Sequence, residues 1–163
     1  MNPVKPILIL LMLLPGTLLA LSNDRDQPIH IEADQLEIDD SRHISHYQGN
    51  VEMNQGSLNI IADSIIFHFD QNNDLQWLQV EGKPAHFNQL NDDQKPVSGS
   101  ALRMNYYQDR SQLELLGQAK FQSDLDTIES EAITVNTETD ALQAGGDTSN
   151  GRVRMLIQPK NPE

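Results

Sequence analysis

Leu58-Asn59-Ile60-Ile61-Ala62-Asp63-Ser64-Ile65-Ile66-Phe67-His68-Phe69 carries its apolar residues with a period of two, at Leu58, Ile60 and Ala62 and again at Ile65, Phe67 and Phe69. Such a period turns one face of a strand to a core and the other to water. The same period appears upstream at Ile29, Ile31 and Ala33, at Leu36 and Ile38 after a one-residue change of phase, and at Val51 and Met53. Downstream it recurs at Leu78 and Val80, Ala85 and Phe87, Leu102, Met104 and Tyr106, and Leu113 and Leu115. Ala119 and Phe121, Ile133 and Val135, and Val153, Met155 and Ile157 complete the series. Turn-forming residues lie between the runs: Gly49-Asn50, Asn54-Gln55-Gly56, Asn72-Asn73-Asp74, Asn91-Asp92-Asp93, Gly145-Gly146-Asp147 and Asn150-Gly151. Three-four spacing is not sustained beyond one turn anywhere after residue 22. An all-β antiparallel barrel, sandwich, jelly roll or solenoid is expected.

A repeat narrows the choice. Gly49-Asn50-Val51-Glu52-Met53 resembles Gly117-Gln118-Ala119-Lys120-Phe121, and Gly82-Lys83-Pro84-Ala85-His86-Phe87 is a looser copy. Each leads into a second unit, at Ala62–Phe67, Gly99–Met104 or Ser130–Val135, and Ala33–Ile38 is an earlier instance of it. A degenerate period in the thirties points to strands stacked in layers along one axis. Such an array ends in unpaired edges, at Ile29–Ile38 and at Ile133–Ala144 with Val153–Ile157, so copies can pair head to tail.

The chain opens with Lys5, an unbroken apolar run from Ile7 to Leu14, a Pro15-Gly16 break, and Ala20-Leu21-Ser22, which places small residues at a cleavage site. This is the layout of a secretory leader over residues 1–22, and the run is too short for a membrane span. The remaining chain suffices for one domain with a continuous core. It has no cysteine, so packing alone must hold it. Net charge is −13 over the whole chain, and Lys5 is the only basic residue before Arg25, so the chain without its leader is more acidic still. That sign excludes nucleic acid as a natural partner.

Signals for catalysis are weak. His43 and His46 stand at H-x-x-H spacing in a polar stretch, with no third ligand at a recognised spacing, and solvated turn histidines are the expectation. Neither a nucleophile elbow nor a phosphate loop is present, and no cofactor is implied. Carboxylates such as Asp63 and Glu131 occupy the polar positions of alternating strands. The inward positions are mainly aliphatic, which suits hydrocarbon chains better than sugar rings.

The run Asp26-Gln27-Pro28-Ile29-His30-Ile31-Glu32-Ala33-Asp34-Gln35 resembles the start of the mature proteins of the LptA/OstA family of periplasmic lipopolysaccharide transport proteins. The likeness continues through Tyr47–Val51, Gln55–Leu58, Ile61–Asp63, Gly82–Phe87, Lys95–Gly99 and Leu115–Ala119, covering roughly residues 26–145. The resemblance implies a leader at 1–22, a V-shaped, twisted antiparallel β-jelly roll over 23–145, and a C-terminal strand and short tail at 146–163. It implies a non-enzymatic carrier that shields the acyl chains of lipid A in an apolar groove. Its partners would be lipopolysaccharide, an LptC-like inner-membrane protein, an LptD-like outer-membrane protein and further copies of itself. Carried over by position, Ile29, Ile31 and Phe87 are expected to touch lipid. Leu36, Ile38, Val51, Met53, Ile60, Ile65, Phe67, Leu102, Met104, Leu115, Phe121 and Ile133 complete the expected lipid-binding face. Lys83, Lys95, Arg103 and Lys120 are placed near the groove mouth, where phosphates would pass. Two other readings stay open: a membrane-anchored LptC-like relative of the same fold, and a carbohydrate-active β-solenoid enzyme using paired carboxylates.

Overall fold

The computed structural model describes residues 22–124, 126–145 and 152–158. It contains β1 (His30–Glu32), β2 (Gln35–Asp39), β3 (Ile44–Gln55), β4 (Leu58–Phe69) and β5 (Leu75–Leu90), then β6 (Pro96–Tyr107), β7 (Gln112–Ser123), β8 (Asp126–Asn136), β9 (Leu142–Gly145) and β10 (Arg154–Leu156). Short 3₁₀ turns at Ser22–Asp26 and Gln108–Arg110 are the only helical elements among the described residues. None is long and apolar enough to cross a membrane. The expected leader lies outside the described residues except for Ser22.

All ten strands form one antiparallel sheet ordered β1-β3-β4-β5-β6-β7-β8-β10, with β2 also beside β3 and β9 also beside β8. The sheet does not close, so β1 with β2 and β9 with β10 are its two free edges.

Each pairing of the long strands breaks register near mid-strand, and β4 with β5 shifts a second time at His68/Phe69, close to the turn. The mid-strand breaks fall at Gln48/Val51, Ile61/Ser64, Glu81/Ala85, Ser100/Arg103 and Leu116/Ala119. Lined up across the sheet, these bulges make a fold line, since a bulge bends its strand and raises local twist. At Gly49 and Gly117 the bend needs left-handed backbone, φ +78° and +76°, which glycine adopts at no steric cost. Gly49-Asn50, read from sequence as a turn, is therefore a bend inside β3. The glycines of the repeat mark the crease of each layer, not the start of its strands.

The crease divides the sheet into two halves. The first comprises 51–61, 85–100 and 119–130 with β1 and β10; the second comprises 44–48, 64–81, 103–116 and 132–136 with β2 and β9. Their facing sides share one hydrophobic core. Three of the turns at the margins opposite the crease use one device. Asp70 accepts the N–H groups of Asn72 and Asp74, Asn91 those of Asp93 and Lys95, and Asn136 those of Glu138 and Thr139. A short polar side chain closing on the backbone just ahead of it stops a strand without help from the core.

Candidate lipid-binding site

Strand register builds the inner faces into continuous rows. On the first half, Ile31, Met53, Ile60, Phe87, Gly99, Phe121, Ile128 and Met155 are successive cross-strand partners from one free edge to the other. On the second half the row is Leu36, Tyr47, Ile65, Val80, Met104, Leu115, Ile133 and Ala144. Nearer the margin of that half runs another, through Ile38, Ser45, Phe67, Leu78, Tyr106, Leu113, Val135 and Leu142. Eight strands at the usual spacing of roughly 4.8 Å make each row about 34 Å long.

Burial varies along the rows. In the middle the halves close on each other: Val51, Ile65, Leu115 and Ile133 are fully buried, and Met53, Ile60, Phe67, Phe87 and Met104 nearly so. Rings meet there, Tyr47 with Phe67 edge-on at 5.7 Å and Phe87 with Phe121 at 6.5 Å. At the ends the same rows open to water. Leu36 is 52% and Ile38 62% exposed at one edge, and Met155 is 55% exposed at the other. Exposed apolar residues in such alignment mark a surface made to be covered.

Of the residues expected from sequence, Ile31, Met53, Ile60, Phe87 and Phe121 fall in the first row, and Leu36, Ile65, Met104, Leu115 and Ile133 in the second. Ile38 and Phe67 fall in the third, Val51 packs beside the crease opposite Ala62, and Ile29 stands exposed just before β1. Leu102 is different. The bulge at Ser100/Arg103 shifts the alternation by one, so Ala101 and Met104 point inward while Leu102 and Arg103 both point outward. Leu102 instead lines an open depression of about 570 Å³ on the outside of the crease, with Asp63, Glu81, Lys83, Arg103, Leu116 and Gly117. Tyr47, Ile128, Leu142 and Ala144 are inner-row residues absent from the alternation seen in the sequence. Each lies in a stretch too short or too polar to show alternation by itself.

The basic residues expected at the mouth are distributed otherwise. Lys83 pairs with Asp63 at 3.9 Å and Arg103 with Glu81 at 2.9 Å, both on the outside of the crease. Lys120 pairs with Glu129 on an outer face. Lys95, bonded to Asp124 at 2.9 Å, is alone among the four in lying at a margin. His46 Nε2 lies 2.8 Å from Ser64 Oγ, and His43 is a turn residue with positive φ.

Fold and interior together define an open-ended, creased β-jelly roll with an apolar inside running from edge to edge. Residues 30–141 match the family described as LptA/(LptD N-terminal domain) LPS transport protein, and the chain belongs to that family. It is 33% identical to lipopolysaccharide export system protein LptH of Pseudomonas aeruginosa, over 87% of this chain and 85% of that protein. To lipopolysaccharide export system protein LptA of Escherichia coli it is 34% identical, over 86% of this chain and 76% of that one. The crystal structure of LptH, the LptA-homologous periplasmic component of the lipopolysaccharide transport device of P. aeruginosa, superposes with a TM-score of 0.75 at 29% identity. That superposition covers 84% of this chain and 99% of the other.

Proposed function

We propose that this protein is a periplasmic carrier of lipopolysaccharide that covers lipid A acyl chains between the two halves of its sheet and passes them on without chemical change. The observation that carries the reading is the set of apolar rows, continuous through the molecule, buried at its centre and exposed at both free edges. Sheltering one methylene from water is worth about 0.8 kcal/mol, so a dozen contribute about 10 kcal/mol, enough to hold a chain that is otherwise insoluble. Net charge of −13 repels an anionic glycolipid, so attraction rests on the apolar rows.

The proposed contact residues are those of the rows, including Ile31, Met53, Ile60, Phe87 and Phe121 on one half and Ile65, Phe67, Met104, Leu115 and Ile133 on the other. The ends suggest how the path is extended. If β10 and β9 of one copy pair with β1 and β2 of the next, Met155 meets Ile31 and Ala144 meets Leu36, so both rows run on across the junction. The same edges suit partners of the same fold, an LptC-like protein on the inner-membrane side and an LptD-like one on the outer-membrane side. Export through a cleaved leader at 1–22 places the protein between them.

A photo-crosslinking residue at Ile31 or Phe87, in cells, tests the reading. Lipopolysaccharide is expected to couple to both and not to a residue at Glu52, on the outer face. Equal labelling at all three positions would remove the carrier assignment.

A further inference from the structure

The 3₁₀ turn carrying Asp24 and Arg25 crosses from one half of the sheet to the other. The Asp24 carboxylate is buried and accepts hydrogen bonds from Ser57 N (2.9 Å), Ser57 Oγ (2.5 Å) and Gln89 Nε2 (3.2 Å). Ser57 lies in the β3–β4 turn and Gln89 near the end of β5, both at the margin of the first half. The next residue reaches the other side: Arg25 Nη2 donates to Thr137 Oγ1 at 3.3 Å, across 112 positions of sequence. Thr137 follows β8 at the margin of the second half, where its N–H is held by the Ser111 carbonyl at 2.7 Å. Gln55 Nε2 fixes the segment by donating to the carbonyls of Arg25 and Gln27. Both anchor points lie opposite the crease, so the segment spans the mouth of the V.

We propose that the segment carrying Asp24 and Arg25 is a strap that keeps the mouth shut, and that acyl chains entering sideways between the halves require its release. The inference rests on the carrier reading above. Backbone pairing joins the halves only through the crease, so ties at the margins set how far they can part. The two anchors are unequal. Asp24 holds by three bonds to a buried carboxylate, whereas Arg25 holds by one bond between exposed groups. Release is therefore expected to begin at Thr137, with the strap staying attached to the first half. Burial opposes the charge of Asp24, but the Ser57 hydroxyl, the Ser57 N–H and Gln89 outweigh it and hold the carboxyl below its usual range, so the firmer anchor stays charged at neutral pH.

The test uses the whole exported protein and fluorescently labelled lipopolysaccharide, following uptake by stopped flow. Arg25→Ala removes only the weaker anchor and is expected to speed uptake about fivefold, the worth of one net hydrogen bond in the closed state. Arg25→Cys with Thr137→Cys, in a chain that has no other cysteine, can be joined by a short reducible bis-maleimide. Joined, it is expected to take up lipid at least about tenfold more slowly than the unjoined variant, with the rate restored on reduction. Equal rates in joined and unjoined protein overturn the strap and leave the carrier reading standing, with chains then threading in from the open ends. A wild-type protein that takes up no lipopolysaccharide removes the carrier reading, and the strap with it.

Discussion

The ring of Phe87 lies against the backbone of Gly99, its cross-strand partner, closely enough that a Cβ on Gly99 would collide with Phe87 Cε1. Gly99 is the one gap in the row from Ile31 to Met155, and the neighbouring aromatic ring fills it. A glycine inside a strand weakens the strand, and an aromatic cross-strand neighbour restores the lost cover.

Gly99→Ala is accordingly expected to destabilise the protein by about 1–3 kcal/mol through overpacking. Phe87→Ala, which empties a buried ring site, is expected to cost about 3–5 kcal/mol. The two are coupled: with the Phe87 ring gone, the methyl introduced by Gly99→Ala enters the space left and its penalty largely disappears. Urea unfolding of the four proteins of the double-mutant cycle measures this. Strictly additive costs would mean that the ring does not rest on Gly99.

The free edges give a prediction about assembly. Leu36 and Ile38 are more than half exposed, so Leu36→Asp with Ile38→Asp should together change stability by no more than about 1 kcal/mol. The charges should nonetheless block pairing at the β2 edge. Wild-type protein is expected to form a concentration-dependent ladder of sizes in light scattering, and the variant to lose it. Met155→Asp should block the opposite edge in the same way. Because a head-to-tail contact uses two different surfaces, mixing the two blocked variants should restore pairs and nothing longer. A wild-type protein that stays monomeric at high concentration refutes head-to-tail pairing.

What the sequence disclosed follows from how locally each feature is encoded. Alternation in Leu58–Phe69 marks a strand and its inward face without reference to anything distant, and the inner residues Ile60, Ile65 and Phe67 follow from it. A bulge also leaves a local trace, but an ambiguous one. Gly49-Asn50 serves equally as a turn or as a left-handed bend, and only partner strands bulging at the same height decide for the bend. Leu102 departs from its expected inward place for that reason, since its phase changes at a bulge the sequence does not show. Pairings across long separations leave no local trace at all. Nothing in Asp24-Arg25 announces Ser57 or Thr137, and nothing in Lys83 or Arg103 tells which side of the crease they occupy.

The outer face of the second half carries a stack that makes the protein report its own protonation. The His68 ring lies flat on Trp77, with centroids 3.7 Å apart and planes 7° from parallel. Trp77 in turn stacks on Tyr107 at 6.0 Å, and the Arg110 guanidinium covers Tyr107 at 3.9 Å. Burial pushes the His68 pKa below its ordinary value near 6.5. Its Nε2 is buried without a hydrogen-bond partner among the described residues, and the nearby charge in the stack is the cation of Arg110. Because the folded-state pKa lies below the unfolded one, the neutral ring favours folding. That contribution is fully present above about 6.5 and is lost as pH falls through the lowered folded value. Trp77 is the only tryptophan, so its fluorescence reads this site alone. An imidazolium quenches a stacked indole, so emission is expected to drop on acidification with a midpoint below about 6.5, and His68→Gln should flatten the curve. A midpoint at or above the ordinary histidine value would mean that the ring is solvated and not packed beneath Trp77.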